Sequence, residues 1–190
     1  MRVVIVDDNS ARGTIIESGL RGAGHSDIVR VTEMTALLKQ LVALEPDVVL
    51  IGLENPSRDI LENMFTVSRT VRRPVAMFVD QSDAAMIEAA VDAGVSAYIV
   101  DGLRKERVKA ILDMAISRFN AFERLRRELE EARDQLAERK TIERAKGILM
   151  KAKSISEEEA YALLRRAAMN ENRRIAEVAH SVVLAAGLLR

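Results

Sequence analysis

Apolar residues in the first hundred positions gather in short, nearly unbroken runs at Val3–Val6, Ile28–Val31, residues 48–51, Val75–Val79 and Ala97–Val100. Runs this short, rich in Val and Ile and bounded by polar or Gly and Pro positions, predict five strands. Segments between them carry helical spacing, including Ile15, Ile16 and Leu20; Met34, Leu37, Leu38 and Leu41; and Met86, Ile87, Ala90 and Val91. Strands apolar on both faces and joined by helices imply a parallel sheet covered on both sides. The predicted fold is an α/β domain with a doubly wound five-stranded parallel sheet. Ligands of such a sheet sit beyond the carboxyl ends of its strands, which places Asp7, Asp8, Gly52, Asp80 and Asp101 around one crevice.

Past Leu103 the pattern changes to a helical one without Pro or Gly, through Val108, Ile111, Leu112, Ala115, Ile116 and Phe119. It then tightens to Phe122, Leu125, Leu129, Ala132 and Leu136, with steps of 3, 4, 3 and 4 that define a coiled-coil seam. The flanking charges, from Arg124 to Arg133, read as a solvated helix face. A helix from about residue 104 to about residue 140 has two ways to cover this seam: a second copy of the chain, giving a homodimer rod, or the chain's own C-terminal helices.

Three short helices are expected next. The first opens near Thr141 and carries Ile142, Ala145, Ile148 and Leu149, with Gly147 inside it for close packing or a bend. Ser156 and Glu159 form a capping box that starts the second, which buries Ala160, Leu163, Leu164, Ala167 and Ala168. Asn172 is expected to cap the third, lined by Ile175, Val178, Ala179, Val182 and Val183. Tyr161, Met150 and Met169 read as core fillers. The organisation is therefore an α/β domain over residues 1–115, a coiled-coil linker over 116–139 and a three-helix module over 140–190.

Composition narrows the function classes. There is no cysteine, no apolar run of membrane length, and acids stand at positions 7 and 8 where a secretory core would continue, so a cytoplasmic protein with no membrane partner is expected. No Ser-His-Asp or Cys-His constellation is visible, and His25 and His180 are isolated; the chain does not read as an enzyme. A net charge of zero hides an asymmetry, because residues 137–190 hold 11 basic against 7 acidic side chains, a balance of +4. Lys140, Arg144 and Lys151, at spacings of 4 and 7, stack along one helical face near Lys146, and Arg165 and Arg173 offer further contacts to phosphate.

Two resemblances sharpen this outline. Asp7-Asp8 after the first strand, Pro46-Asp47-Val48-Val49-Leu50-Ile51, and Ala93-Gly94-Val95-Ser96-Ala97-Tyr98 resemble the receiver domain of two-component response regulators. The resemblance implies a phosphoacceptor aspartate and a divalent metal, but Gly52 occupies the acceptor position, Val79 stands for the hydroxyl residue at the end of strand four, and Asp101 for the lysine after strand five. The implied domain is a pseudo-receiver with no phosphoacceptor. Asp7 and Asp8 then have two readings: a weak or vestigial Mg²⁺ site, with no other cofactor expected, or Asp8 capping the next helix while Asp7 faces solvent.

The tail resembles ANTAR antiterminator modules through Ala145-Lys146-Gly147-Ile148-Leu149-Met150, Ser156-Glu157-Glu158-Glu159-Ala160-Tyr161, Leu163-Leu164-Arg165-Arg166-Ala167-Ala168-Met169 and Ile175-Ala176-Glu177-Val178-Ala179. This resemblance implies binding of stem-loops in leader transcripts, transcription antitermination, and RNA contacts that add Ala145, Gly147 and Met150 to the cations. It also implies control by a regulatory sensor protein in some members. The competing readings are a DNA-binding response regulator and a protein-interaction or dimerisation module.

Overall fold

The computed structural model describes residues 1–54 and 58–188 and divides into two compact units, Met1–Glu123 and Arg124–Arg190. In the first, β1 (Val3–Val6), β2 (Ile28–Val31), β3 (Val48–Leu53), β4 (Val75–Val79) and β5 (Ala97–Val100) form one sheet in the order β2-β1-β3-β4-β5. All four pairings are parallel. The expected strands are all present, and β3 runs two residues further than its apolar run because Gly52 and Leu53 continue the pairing, opposite Phe78 and Val79.

Alternation along the strands builds two cores. Val4, Val6, Val49, Ile51, Val75 and Met77 face α2 (Leu37–Leu44), α3 (Arg58–Val71) and α4 (Ala84–Asp92). Val3, Ile5, Val48, Leu50, Ala76 and Phe78 face α1 (Ser10–Gly22) and the beginning of α5 (Lys105–Lys153), through Ile16, Leu20, Val108, Leu112 and Ala115. Period-2 alternation on strands buried from both sides explains why the sequence shows them as continuous apolar runs.

The second unit contains the remainder of α5, then α6 (Glu157–Glu171) and α7 (Ile175–Leu188). Ala145, Leu164, Ala168, Val178 and Ala179 form its core, with Ile142, Leu149, Ala167, Ile175, Val182 and Val183 packed around them. The capping box is present: Ser156 Oγ accepts from Glu159 N at 3.2 Å, and Ser156 N donates to Glu159 Oε2 at 2.8 Å. The first-turn carboxylate of Glu159 is held below its ordinary pKa of 4.5 by the Ser156 backbone N–H, then by the Ser156 side chain.

Several expectations need correction. No helix opens near Thr141, because α5 runs unbroken for 49 residues. Thr141 Oγ1 instead donates to Ala137 O at 2.9 Å, which satisfies the hydroxyl inside a helix of otherwise strong helix formers. Asn172 does not cap α7; it closes α6 in the left-handed conformation with φ 51°, a conformation that Asn tolerates. Arg173 and Arg174 consequently lie between α6 and α7. Tyr161 and Met169 are exposed, not core fillers, since they sit one position beyond the buried Ala160 and Ala168 on α6.

Candidate nucleic-acid interface and a remodelled acidic crevice

α5 contributes both the seam and the cation stripe of the second unit. Leu125, Leu129 and Leu136 are each more than half exposed, as is Phe122, which falls in the first unit, and the small Ala132 is exposed too. The chain's own α6 and α7 therefore do not take the seam as a packing surface. Their contacts fall instead on Ile142, Ala145 and Leu149, on the other side of the helix.

Without a break at Thr141, the helical phase carries through. Leu129, Leu136, Lys140, Gly147 and Lys151 follow at steps of 7, 4, 7 and 4, and at about 3.6 residues per turn this keeps them on one face. Arg144 is one turn beyond Lys140 on that face. Lys140, Arg144 and Lys151 are exposed and make no ion pair or side-chain hydrogen bond among the described residues, and Lys151 lies in the last turn, where a cation is favoured. Arg165 on α6 is likewise exposed. The opposite side of the unit is acidic: Glu131, Asp134, Glu138 and Glu177 line a groove of about 630 Å³ with Arg174 and His180.

The other residues of the expected RNA face have internal work. Lys146 is 8% exposed and bridges Glu143 at 2.7 Å and Glu157 at 2.6 Å. Its hydrogen bond to Glu143, followed by that to Glu157, raises its pKa above the ordinary 10.5, while Lys146 lowers that of Glu157. Lys146 thus ties α5 to the start of α6. Arg173 donates to Glu171 Oε2 at 2.9 Å, to Glu177 O at 3.3 Å and to Ser181 Oγ at 3.2 Å. Ala145 is fully buried in the core, Met150 is half-buried, and Gly147 has open space where a Cβ would stand, so close packing is not its reason.

In the first unit, the crevice at the carboxyl end of the sheet holds a cation supplied by the chain itself. Arg12, on α1, donates from Nε to Asp7 Oδ2 at 2.8 Å and from Nη2 to Asp7 Oδ1 at 2.9 Å, a forked pair. Asp8 and Asp80 approach the same guanidinium at 3.5 and 3.4 Å. Asp7 is 1% exposed and Arg12 7%. Burial opposes the charge on Arg12, but the hydrogen bond to Asp7 and the neighbouring carboxylates outweigh it and raise its pKa.

The reading in which Asp8 caps the helix and Asp7 faces solvent needs correction. Asp7 does not face solvent; it is buried, and besides Arg12 it accepts from Asn9 N at 2.8 Å. Asp8 does not cap α1: that role belongs to Asn9, whose Oδ1 accepts from Ala11 N and Arg12 N at 3.0 and 3.1 Å. Nor do the residues fit a divalent ion as a pair, since both Asp7 oxygens are engaged by a guanidinium and position 52 has no carboxylate. Among the described residues no group of three or more His, Cys, Asp or Glu is placed to hold a metal. Arg12 carried no sequence signal beyond being one cation in an amphipathic helix, and Asp80 was visible only as a crevice position.

Comparisons with known proteins agree with this division. Residues 130–183 match the ANTAR domain. The transcriptional regulatory protein PdtaR of Mycobacterium tuberculosis is 27% identical over 180 residues, spanning 93% of this chain and 88% of PdtaR. The nitrate regulatory protein of Klebsiella oxytoca is 34% identical over 82 residues, which are 43% of this chain and 21% of that protein. Among solved structures, the apo receiver domain of Nitrogen Regulatory Protein C matches with a TM-score of 0.51 and 26% identity, over 63% of this chain and 96% of that one. A response regulator from Thermotoga maritima shares the fold with a TM-score of 0.51 and 19% identity, over 62% and 98%. Among the described residues no helix is long and apolar enough to cross a membrane.

Proposed function

We propose that this chain, an ANTAR-domain regulator with a receiver fold at its N-terminus, reads RNA stem-loops in nascent leader transcripts and acts by antitermination. The regulatory role follows from the relatives; the RNA and its consequence for transcription are our reading. One observation carries it: within the ANTAR match, Lys140, Arg144 and Lys151 share one face of α5 and have no partner among the described residues, while the opposite side is acidic. A phosphate backbone is the ligand that such a stripe suits. Arg165 adds a guanidinium for forked contacts.

The exposed seam at Leu125, Leu129 and Leu136 supports a homodimer, whose two stripes would engage paired stem-loops with a multivalent gain. The crevice chemistry supports control by a bound sensor protein rather than by a phosphoryl group, and no catalytic role is assigned. The reading is tested by selection of RNA on the full chain at low salt, with duplex DNA as competitor. Enrichment of stem-loops that duplex DNA does not displace is expected. Equal binding of duplex DNA, or no structured RNA retained, would replace this reading with one of its two rivals.

A further inference from the structure

We infer that Arg12 is a built-in replacement for the divalent cation of a receiver crevice, and that Gly52 is the space this replacement requires. The receiver fold implies a metal among carboxylates at the ends of the first and third strands. Here the guanidinium lies among Asp7, Asp8 and Asp80, at 2.8, 3.5 and 3.4 Å, and supplies one fixed positive charge where the metal would supply two. The buried pair leaves Asp7 with no oxygen free of a donor.

Position 52 is locked to that arrangement. A Cβ there would fall inside the contact shell of Asp7 Oδ2, come within 2.7 Å of Asp7 Cγ and stand 2.9 Å from Arg12 Nε. None of these neighbours is a free side-chain end, because each is held by the Asp7 and Arg12 pair. Any side chain at 52, not only a carboxylate, is therefore excluded while Arg12 holds Asp7. Loss of the acceptor and gain of the internal cation form a single structural change. The crevice is closed to a metal from within and ties the end of β1, the start of α1 and the residue after β4 into one cluster.

The test uses four full-length proteins: the natural chain, Gly52→Asp, Arg12→Ala, and Gly52→Asp with Arg12→Ala. Mn²⁺ binding is followed through the electron paramagnetic resonance of the free ion. The natural chain and Gly52→Asp are expected to show no saturable binding at millimolar Mn²⁺, whereas the double variant, with its guanidinium gone and a third carboxylate in place, binds at least tenfold tighter than either. Equal binding by Gly52→Asp and the double variant would show that Arg12 does not occupy the cation's place, and a folded double variant that binds no better than the natural chain would do the same. Should Gly52→Asp or the double variant fail to fold, a thermal-denaturation cycle with Gly52→Ala decides. Its melting-temperature loss should be at least halved in an Arg12→Ala background, and an equal loss in both backgrounds would overturn the coupling.

Discussion

The two charged regions of this chain use the same residue types to opposite ends. In the N-terminal unit, the Arg12 guanidinium is buried in a forked pair with Asp7, and the exposed Asp8 and Asp80 stand 3.5 and 3.4 Å from it. In the C-terminal unit, Lys140, Arg144 and Lys151 stand on one helix face with no partner among the described residues. The contrast teaches that a cation's role follows from what the fold leaves around it. Lys146 makes the point at close range: it is two residues from Arg144, yet it is buried against Glu143 and Glu157 and belongs with Arg12 in kind.

The largest effect expected from this contrast is on stability. Arg12→Ala leaves the buried Asp7 carboxylate without its ion partner and should cost about 3–5 kcal/mol, whereas Arg144→Ala should change stability by no more than about 0.5 kcal/mol. Urea denaturation of the full-length variants checks both, and similar costs for the two would erase the distinction. Next in size is association. Leu129→Glu with Leu136→Glu should convert a dimer to a monomer in sedimentation experiments while leaving helix content intact, because these side chains are exposed in the single chain.

Gly147→Ala sharpens the comparison from another side. With open space at its Cβ, alanine should stabilise α5 by about 1 kcal/mol. If an RNA backbone approaches at this glycine, the same variant should bind RNA less well; a rise in stability with no loss of affinity would take Gly147 off the interface. The smallest effect is a pH dependence. Glu157 has a lowered pKa, so its contribution is present above its ordinary 4.5 and fades as pH falls through the lowered value. Lys146 has a raised pKa, so its contribution is present below 10.5 and fades only as pH rises through the raised value. Thermal denaturation should therefore show this tie intact across the neutral range, and Glu157→Gln should flatten part of the acid limb.

The fold was highly legible in the sequence because its cues are local. Five apolar runs, the capping box at Ser156 and the small residues of the last three helical segments each report their own surroundings. What local patterns could not report was pairing at a distance. Arg12 and Asp80 lie 68 positions apart and meet only when β1 and β4 join the same sheet. The helix start expected near Thr141 is absent because heptad and module periodicities meet there without a breaker, and the helix continues through it. Tyr161 and Met169 read as core fillers on hydrophobicity alone, but a shift of one position along α6 moves a side chain about 100° around the axis and out of the core. Of the cations, spacing identified the stripe of Lys140, Arg144 and Lys151, but could not separate it from Lys146 and Arg173, whose acidic partners lie on neighbouring elements or in the preceding turn.

The central claim is that the unpaired stripe on α5 contacts RNA phosphates while the bridged Lys146 does not. The most direct measurement is the salt dependence of stem-loop RNA affinity for the natural chain and for Lys140→Ala with Arg144→Ala and Lys151→Ala. Loss of three phosphate contacts should lower the slope of log affinity against log salt by about two to three. A triple variant that folds and keeps both the slope and the affinity of the natural chain would contradict the account.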